Sequence, residues 1–265
     1  MGPSPQLAIN DVGTGKPLVL LHGVGADAQI WRAVAGRMRH ARRLLFPDLP
    51  GFGASPPLGS GFELGEVADA LGAALEAVAG EPFDLVGNSL GGAVALVLAR
   101  RHPQLVDRLV LVAPAGFSRF PPVLTEPVAR LAPAALAGRR ILGAPLAGIG
   151  LARRVMLWGT VADPAELSAQ DVRLMLGASR RSSRIAAAVS AVLSADLVDE
   201  LVGLGRPPAL IWGERDRVVP LSTLAALLAA CPAARVEIIT RAGHVPQLER
   251  PAAFVGALER LLAAS

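Results

Sequence analysis

Tyrosine is absent from this 265-residue chain, and cysteine and lysine occur once each, as Cys231 and Lys16. A single cysteine excludes an internal disulfide and any cysteine-based metal cluster. Cys231 closes an Ala/Leu helical pattern, LAALLAAC, and reads as a small hydrophobe with no chemistry of its own. Aromatics make up only 4% of the residues, and the arginines that supply nearly all the positive charge fall in scattered pairs. Nucleic-acid binding asks for a dense basic run with interleaved aromatics, so no nucleic-acid partner is expected. No uninterrupted apolar run reaches the length of a bilayer span. LAPAALAGRRILGAPLAGIG comes nearest and is broken by Arg139, Arg140 and several Gly and Pro, so no membrane span is expected either. The N-terminal stretch MGPSPQLAIN lacks the basic and apolar regions of a secretory signal, which makes a cytoplasmic, soluble protein the expectation.

What the chain does have is alternation. Short apolar runs rich in Val, Leu and Ile (PLVLLH 17–22, RRLLFPD 42–48, FDLVGN 83–88, DRLVLVA 107–113, PALIWG 208–213 and RVEIIT 235–240) are separated by longer helical patterns. Runs apolar on both faces fit strands buried in a parallel sheet, so the fold class is α/β, a mostly parallel sheet flanked by helices. Helices are expected over 64–79, 90–101, 221–231 and 251–263. The first places Leu64, Val67, Ala68, Leu71, Leu75 and Val78 on one face.

The alternation fails between Val112 and Pro208. Residues 117–194 are rich in Pro, Arg and Ala, helical in tendency and without convincing strands. The reading is a core of residues 1–116 and 195–265 interrupted by a helical insertion at 117–194. The insertion holds ten arginines against four acids, Glu126, Asp163, Glu166 and Asp171, and so carries all of the net charge of +4 and more. That surplus either draws in an acidic substrate or is no more than arginine solvated on helix backs.

The densest chemical signal is LVGNSLGG, Leu85 to Gly92. A strand that turns straight into a helix forces strained backbone angles on the corner residue and lifts it clear of the sheet edge. Gly87 and Gly91 leave the room such a turn needs, because a Cβ at either would clash. Ser89 then stands above a helix N-terminus that favours developing negative charge, and reads as a nucleophile. A serine needs a base. Of the four histidines, His40 and His102 read as solvated and His22 ends a strand. His244, in the loop RAGHVPQLERP after the last strand, is the best candidate. The acid that would orient it is Asp216 in IWGERDRVVP, with Glu214 as its nearest rival. Two N–H donors for an oxyanion would come from Leu90, directly after the serine, and Val24 in HGVG.

LLHGVG, FPDLPGFGAS, LVGNSLGG, LIWGERD and AGHVPQLERP, in that order, resemble the α/β-hydrolase superfamily over nearly the whole chain outside 117–194. The resemblance implies a mainly parallel sheet with a helical cap inserted after the sixth strand, and a structural role for Asp48–Ser55. Many members begin with a two-strand hairpin. This chain starts at what resembles the second strand, LAIND, so the first edge strand is expected to be missing and that sheet edge is in doubt. Serine at position 89 argues against resemblance to haloalkane dehalogenases and epoxide hydrolases, whose nucleophile is a carboxylate.

A Ser89, His244 and Asp216 constellation transfers acyl groups to water and needs neither metal nor organic cofactor. A carboxylic ester or lactone is the first expectation for the small-molecule acyl substrate, with a thioester also open. GNSLGG is similar to the motif of hydrolases that cleave carbon–carbon bonds in ring-fission products. Those relatives carry an aromatic residue after the histidine and a longer oxyanion loop, where this chain has Val245 and HGVGAD. A reading from another class is a ligand-binding receptor on a hydrolase scaffold. Phe117, Phe120, Met156, Trp158 and Met175 are candidates for an apolar wall over the pocket, and Trp31 reads as packing.

Overall fold

The computed structural model describes residues 6–117, 122–143, 148–178 and 182–263. Seven strands form one sheet: β1 Ile9–Val12, β2 Pro17–Leu21, β3 Arg43–Pro47, β4 Phe83–Asn88, β5 Val106–Val112, β6 Ala209–Gly213 and β7 Arg235–Ile239. Their spatial order is β1-β3-β2-β4-β5-β6-β7. Every pairing is parallel except β1 with β3. Each parallel step needs a crossover, and helices supply the cover on both faces.

The strands alternate strictly. Val19, Leu21, Leu85, Leu109, Leu111, Leu210 and Trp212 face one core cluster. Leu18, Leu20, Val86, Val110, Val112 and Ile211 face the other. The first cluster is closed by α2 (Leu64–Ala79) and α3 (Leu90–Arg101), the second by α1 (Arg32–Met38) and, at the chain's end, a helix over Pro251–Ala263. Each buried leucine contributes roughly 1.5–3 kcal/mol. In α2 the apolar face differs from the sequence expectation at one end. Val78 is exposed while Ala79 beside it is buried, in the last turn before the helix ends at Gly80 with φ 73°.

The β1 edge has its own fastening. The Arg43 guanidinium donates to the Asp11 carboxylate at 2.7–3.2 Å and to the carbonyl oxygens of Val78 and Ala79 at 2.9 and 3.2 Å. One side chain thus joins the antiparallel edge strand, its neighbour and the end of α2. At the same end of the sheet, fully buried Asp84 is neutralised by Lys16 and Arg42.

Between β5 and β6 the described residues form five helices: α4 Pro122–Gly143, α5 Gly150–Met156, α6 Ala169–Ala178, α7 Ile185–Ser194 and α8 Val198–Val202. The two ends of this region meet, Leu197 N donating to Gly116 O at 3.0 Å. Ile185 and Ala188 of α7 sit in the first core cluster, so the region is fastened to the sheet layer as well as strung from it. After β6 come α9 Leu221–Ala230, β7, the single turn α10 Pro246–Glu249 and α11 Pro251–Ala263.

Candidate active site

Ser89 sits at the corner between β4 and α3 with φ 57° and ψ −118°. A positive φ in a residue with a Cβ costs about 1–3 kcal/mol and persists only where its surroundings hold it. Here they do. Ser89 N donates to Val112 O at 3.0 Å, and Ser89 O accepts from Gly92, Ala93 and Ala115 at 2.9–3.1 Å. A Cβ at Gly87 would collide with the Gly91 carbonyl, and one at Gly91 would lie 2.5 Å from Leu21 O and 2.6 Å from His22 O. The elbow is therefore packed backbone against backbone.

His244 lies in the loop after β7. Its Nδ1 donates to Asp216 Oδ2 at 2.8 Å, both side chains being almost wholly buried. The other Asp216 oxygen accepts from Val218 N at 2.8 Å and Val219 N at 3.0 Å, which fixes the carboxylate. That arrangement leaves His244 Nε2 free to accept a proton. Glu214, the rival acid, is turned elsewhere and accepts from Arg241 N at 2.9 Å. Ser89 and His244 line one cavity, and the Ser89 hydroxyl has no hydrogen-bond partner among the described residues. The amides of Val24 and Leu90 donate to no group among the described residues either, Leu90 N being one of the free donors of the α3 N-terminus.

Sequence reasoning missed how the His244 loop is held. Asn88 Nδ2 donates to His244 O at 3.2 Å and to Val112 O at 3.1 Å, and Gln247 Nε2 donates to Asn88 Oδ1 at 3.0 Å. His244 N donates to Thr160 O at 2.9 Å. The Glu249 carboxylate accepts from Gly243, Val245 and Ala162. A signal was present in HVPQLERP: amide and acid side chains spaced along one short turn after the histidine.

His22 is buried and structural. Its Nδ1 donates to Gly23 O at 2.9 Å and its Nε2 accepts from Leu49 N at 3.0 Å, which ties the Val24 loop to the loop after β3. Asp48 works on the same loops, accepting from Ala28 N and Ala54 N at 2.8 Å each. Burial pushes the His22 pKa below the ordinary 6.5. Its unfolded form takes a proton near that pH while the folded form resists, so stability is lost as pH falls below about 6.5. Chemical denaturation is expected to give less stability at pH 5.5 than at 7.5, a difference that His22→Asn reduces. His102 is not the free surface residue expected. It is half-buried, and its Nε2 meets Asp69 at 2.8 Å. With Arg101, it holds the Asp69 carboxyl down to about 2.

The cavity at Ser89 has a volume of about 190 Å³. Val24, Leu136, Leu157, Met175 and Val218 give it an apolar wall, and Thr160 and Asn88 add polar edges. Of the wall residues expected from sequence, Met175 is there. Phe117 and Met156 are in core packing, Trp158 is exposed, and Phe120 lies outside the described residues. Trp31 is fully buried against Phe254, ring centroids 5.9 Å apart. A larger open groove of about 1300 Å³, between α2, α3, α4 and α7, has neither Ser89 nor His244 in its wall.

A sequence model described as the alpha/beta hydrolase fold matches residues 16–251. The chain is 29% identical to a pimeloyl-[acyl-carrier protein] methyl ester esterase of Aeromonas hydrophila, over 97% of this chain and 99% of that protein. It is 30% identical to a 2-hydroxy-6-oxo-2,4-heptadienoate hydrolase of Pseudomonas putida, over 97% of this chain and 92% of that one. A thermophilic esterase from Thermogutta terrifontis has a solved structure that superposes with a TM-score of 0.75 at 26% identity, covering 97% and 93% of the two chains.

Proposed function

We propose, from the premise that the chain belongs to the alpha/beta hydrolase fold family and is a hydrolase, that it cleaves a carboxylic ester or lactone of small apolar acyl character through Ser89, His244 and Asp216. The observation that carries this reading is the His244 Nδ1 to Asp216 bond at 2.8 Å beside a strained Ser89, all at one end of one sheet. Ser89 Oγ attacks the carbonyl carbon and its proton passes to His244 Nε2, with Asp216 supporting the imidazolium. The N–H groups of Val24 and Leu90 receive the oxyanion. Collapse expels the alcohol, which takes the proton from His244. A water then loses its proton to His244, adds to the acyl carbon and releases the acid, restoring Ser89.

Residues 117–194 act in this reading as a cap that chooses the substrate, over a core of 1–116 and 195–265. Leu136, Leu157, Thr160 and Met175 support it by lining the cavity. At about 190 Å³ the cavity falls below the usual 300–1,000 Å³ of drug-sized sites, which favours a short acyl group. No arginine is among its described lining residues, so the positive surplus of the cap is read as solvated rather than as a carboxylate pocket. A cytoplasmic place of action belongs to the same reading, which a chain with one cysteine suits.

Carbon–carbon bond hydrolysis is the second reading, supported as directly by the 30% identical dienoate hydrolase. A panel of p-nitrophenyl esters, lactones and vinylogous diketones, each with Ser89→Ala and His244→Ala controls, separates the two, and acyl thioesters extend it. The expected winner is a short acyl ester, with kcat/KM for the butyrate at least tenfold above that for the laurate. A diketone turned over faster than every ester would replace the ester reading.

A further inference from the structure

Glu249 is the only acid of the motif after His244, and its carboxylate is spent on backbone. Oε1 accepts from Gly243 N at 2.9 Å and Val245 N at 3.3 Å, the residues on either side of His244, and Oε2 accepts from Gly243 N at 3.0 Å and Ala162 N at 2.8 Å. Ala162 follows the cavity-lining Thr160, whose carbonyl accepts from His244 N at 2.9 Å. A Cβ at Gly243 would lie 2.8 Å from Ala162 N, so the two segments are in direct backbone contact.

We propose that Glu249 is a positioning residue for the reaction, its carboxylate fastening the His244 loop to the cap segment Thr160–Ala162 and its charge supporting the imidazolium that forms at His244. The proposal rests on reading His244 as the base. Both oxygens accept, so a glutamine amide, with one acceptor oxygen, could hold only part of these N–H groups. A carboxylate adds a second negative charge behind the one at Asp216. Burial pushes the Glu249 carboxyl above the ordinary carboxylate value against the pull of the Ala162, Gly243 and Val245 N–H groups, with a smaller upward contribution from the Asp216 charge. Other charges on this side include Glu166, paired with Arg241 and Arg250, and Glu214, which accepts from Arg241 N and lies 3.9 Å from Arg215.

Reaction of Ser89 with a fluorophosphonate reads the basicity of His244 without knowledge of the natural substrate. Its second-order rate is measured against pH for the native chain, Glu249→Gln and Glu249→Ala, beside thermal melting. Glu249→Gln keeps the shape and one acceptor oxygen. The expected result is a plateau rate lower by about tenfold, with cooperative melting kept. The acidic limb moves to lower pH, because an imidazolium without the second carboxylate gives up its proton more readily. Glu249→Ala shows the same shift with a further loss of rate. A Glu249→Gln profile with the native limb, or a variant that no longer melts cooperatively, makes the residue structural and overturns the proposal. Labelling that survives Ser89→Ala overturns the reading of the site as well.

Discussion

Ser89→Ala lowers kcat by a factor on the order of 10⁶ on the best substrate of the ester panel. The size follows from the roles of the group. In the proposed mechanism no acyl-enzyme forms without the hydroxyl, and His244 and the two amides are left to assist water directly. Fold stability changes little, since alanine inherits the φ of 57° that serine already tolerates. Ser89→Gly separates strain from chemistry. Glycine enters that region freely, so this variant melts higher by about 1 kcal/mol while being as inactive as the alanine one. A melt and a rate on the same preparations check both statements. A glycine variant no more stable than native would mean that the elbow stores no strain.

Gly91→Ala acts from the opposite direction. Its methyl would lie 2.5 Å from Leu21 O and 2.6 Å from His22 O, and neither atom is the far end of a flexible side chain. Strand β2 or helix α3 must move. The expected cost is about 3 kcal/mol of stability, at the upper end of overpacking effects. The end of β2 leads into Gly23 and Val24, so the displacement carries with it the Val24 amide, one of the two donors proposed for the oxyanion. A loss of one such donor slows turnover roughly 100- to 1,000-fold. Denaturant melts and kcat on the same ester read the two effects. Native kcat in a folded Gly91→Ala chain would separate the elbow from the Val24 loop.

The parts of this molecule written in short-range pattern were readable from sequence. Strands β2 to β7 announce themselves by apolar runs, and α2, α3 and α11 by spacing. Glycines two residues either side of Ser89 point to the turn because the clash they avoid is local. What escaped reading depends on chain segments far apart. His102 looks solvated next to Arg101, and only the fold brings Asp69 to it. His22 looks like a strand end, and its burial follows from Leu49 arriving above it. The bonds from Asn88 to His244 and Gln247, and from Ala162 to Glu249, join residues more than 80 positions apart to a single loop, and no periodicity encodes such pairs. The wall of the cavity was harder still. Met175 of α6 lines the cavity while Trp158, in the turn after α5, is exposed, because what turns inward between β5 and β6 is decided by packing partners and not by the residue itself.

The bond from Leu197 N to Gly116 O closes the neck of the inserted region to a single peptide-to-peptide contact. What lies between those residues is fastened again further along, where His244 N reaches Thr160 O and Ser183 N reaches Gly51 O. A different insertion would have to supply carbonyl and amide partners for the His244 loop and Glu249, as well as apolar side chains in the places of Ile185 and Ala188 where α7 leans on the layer below.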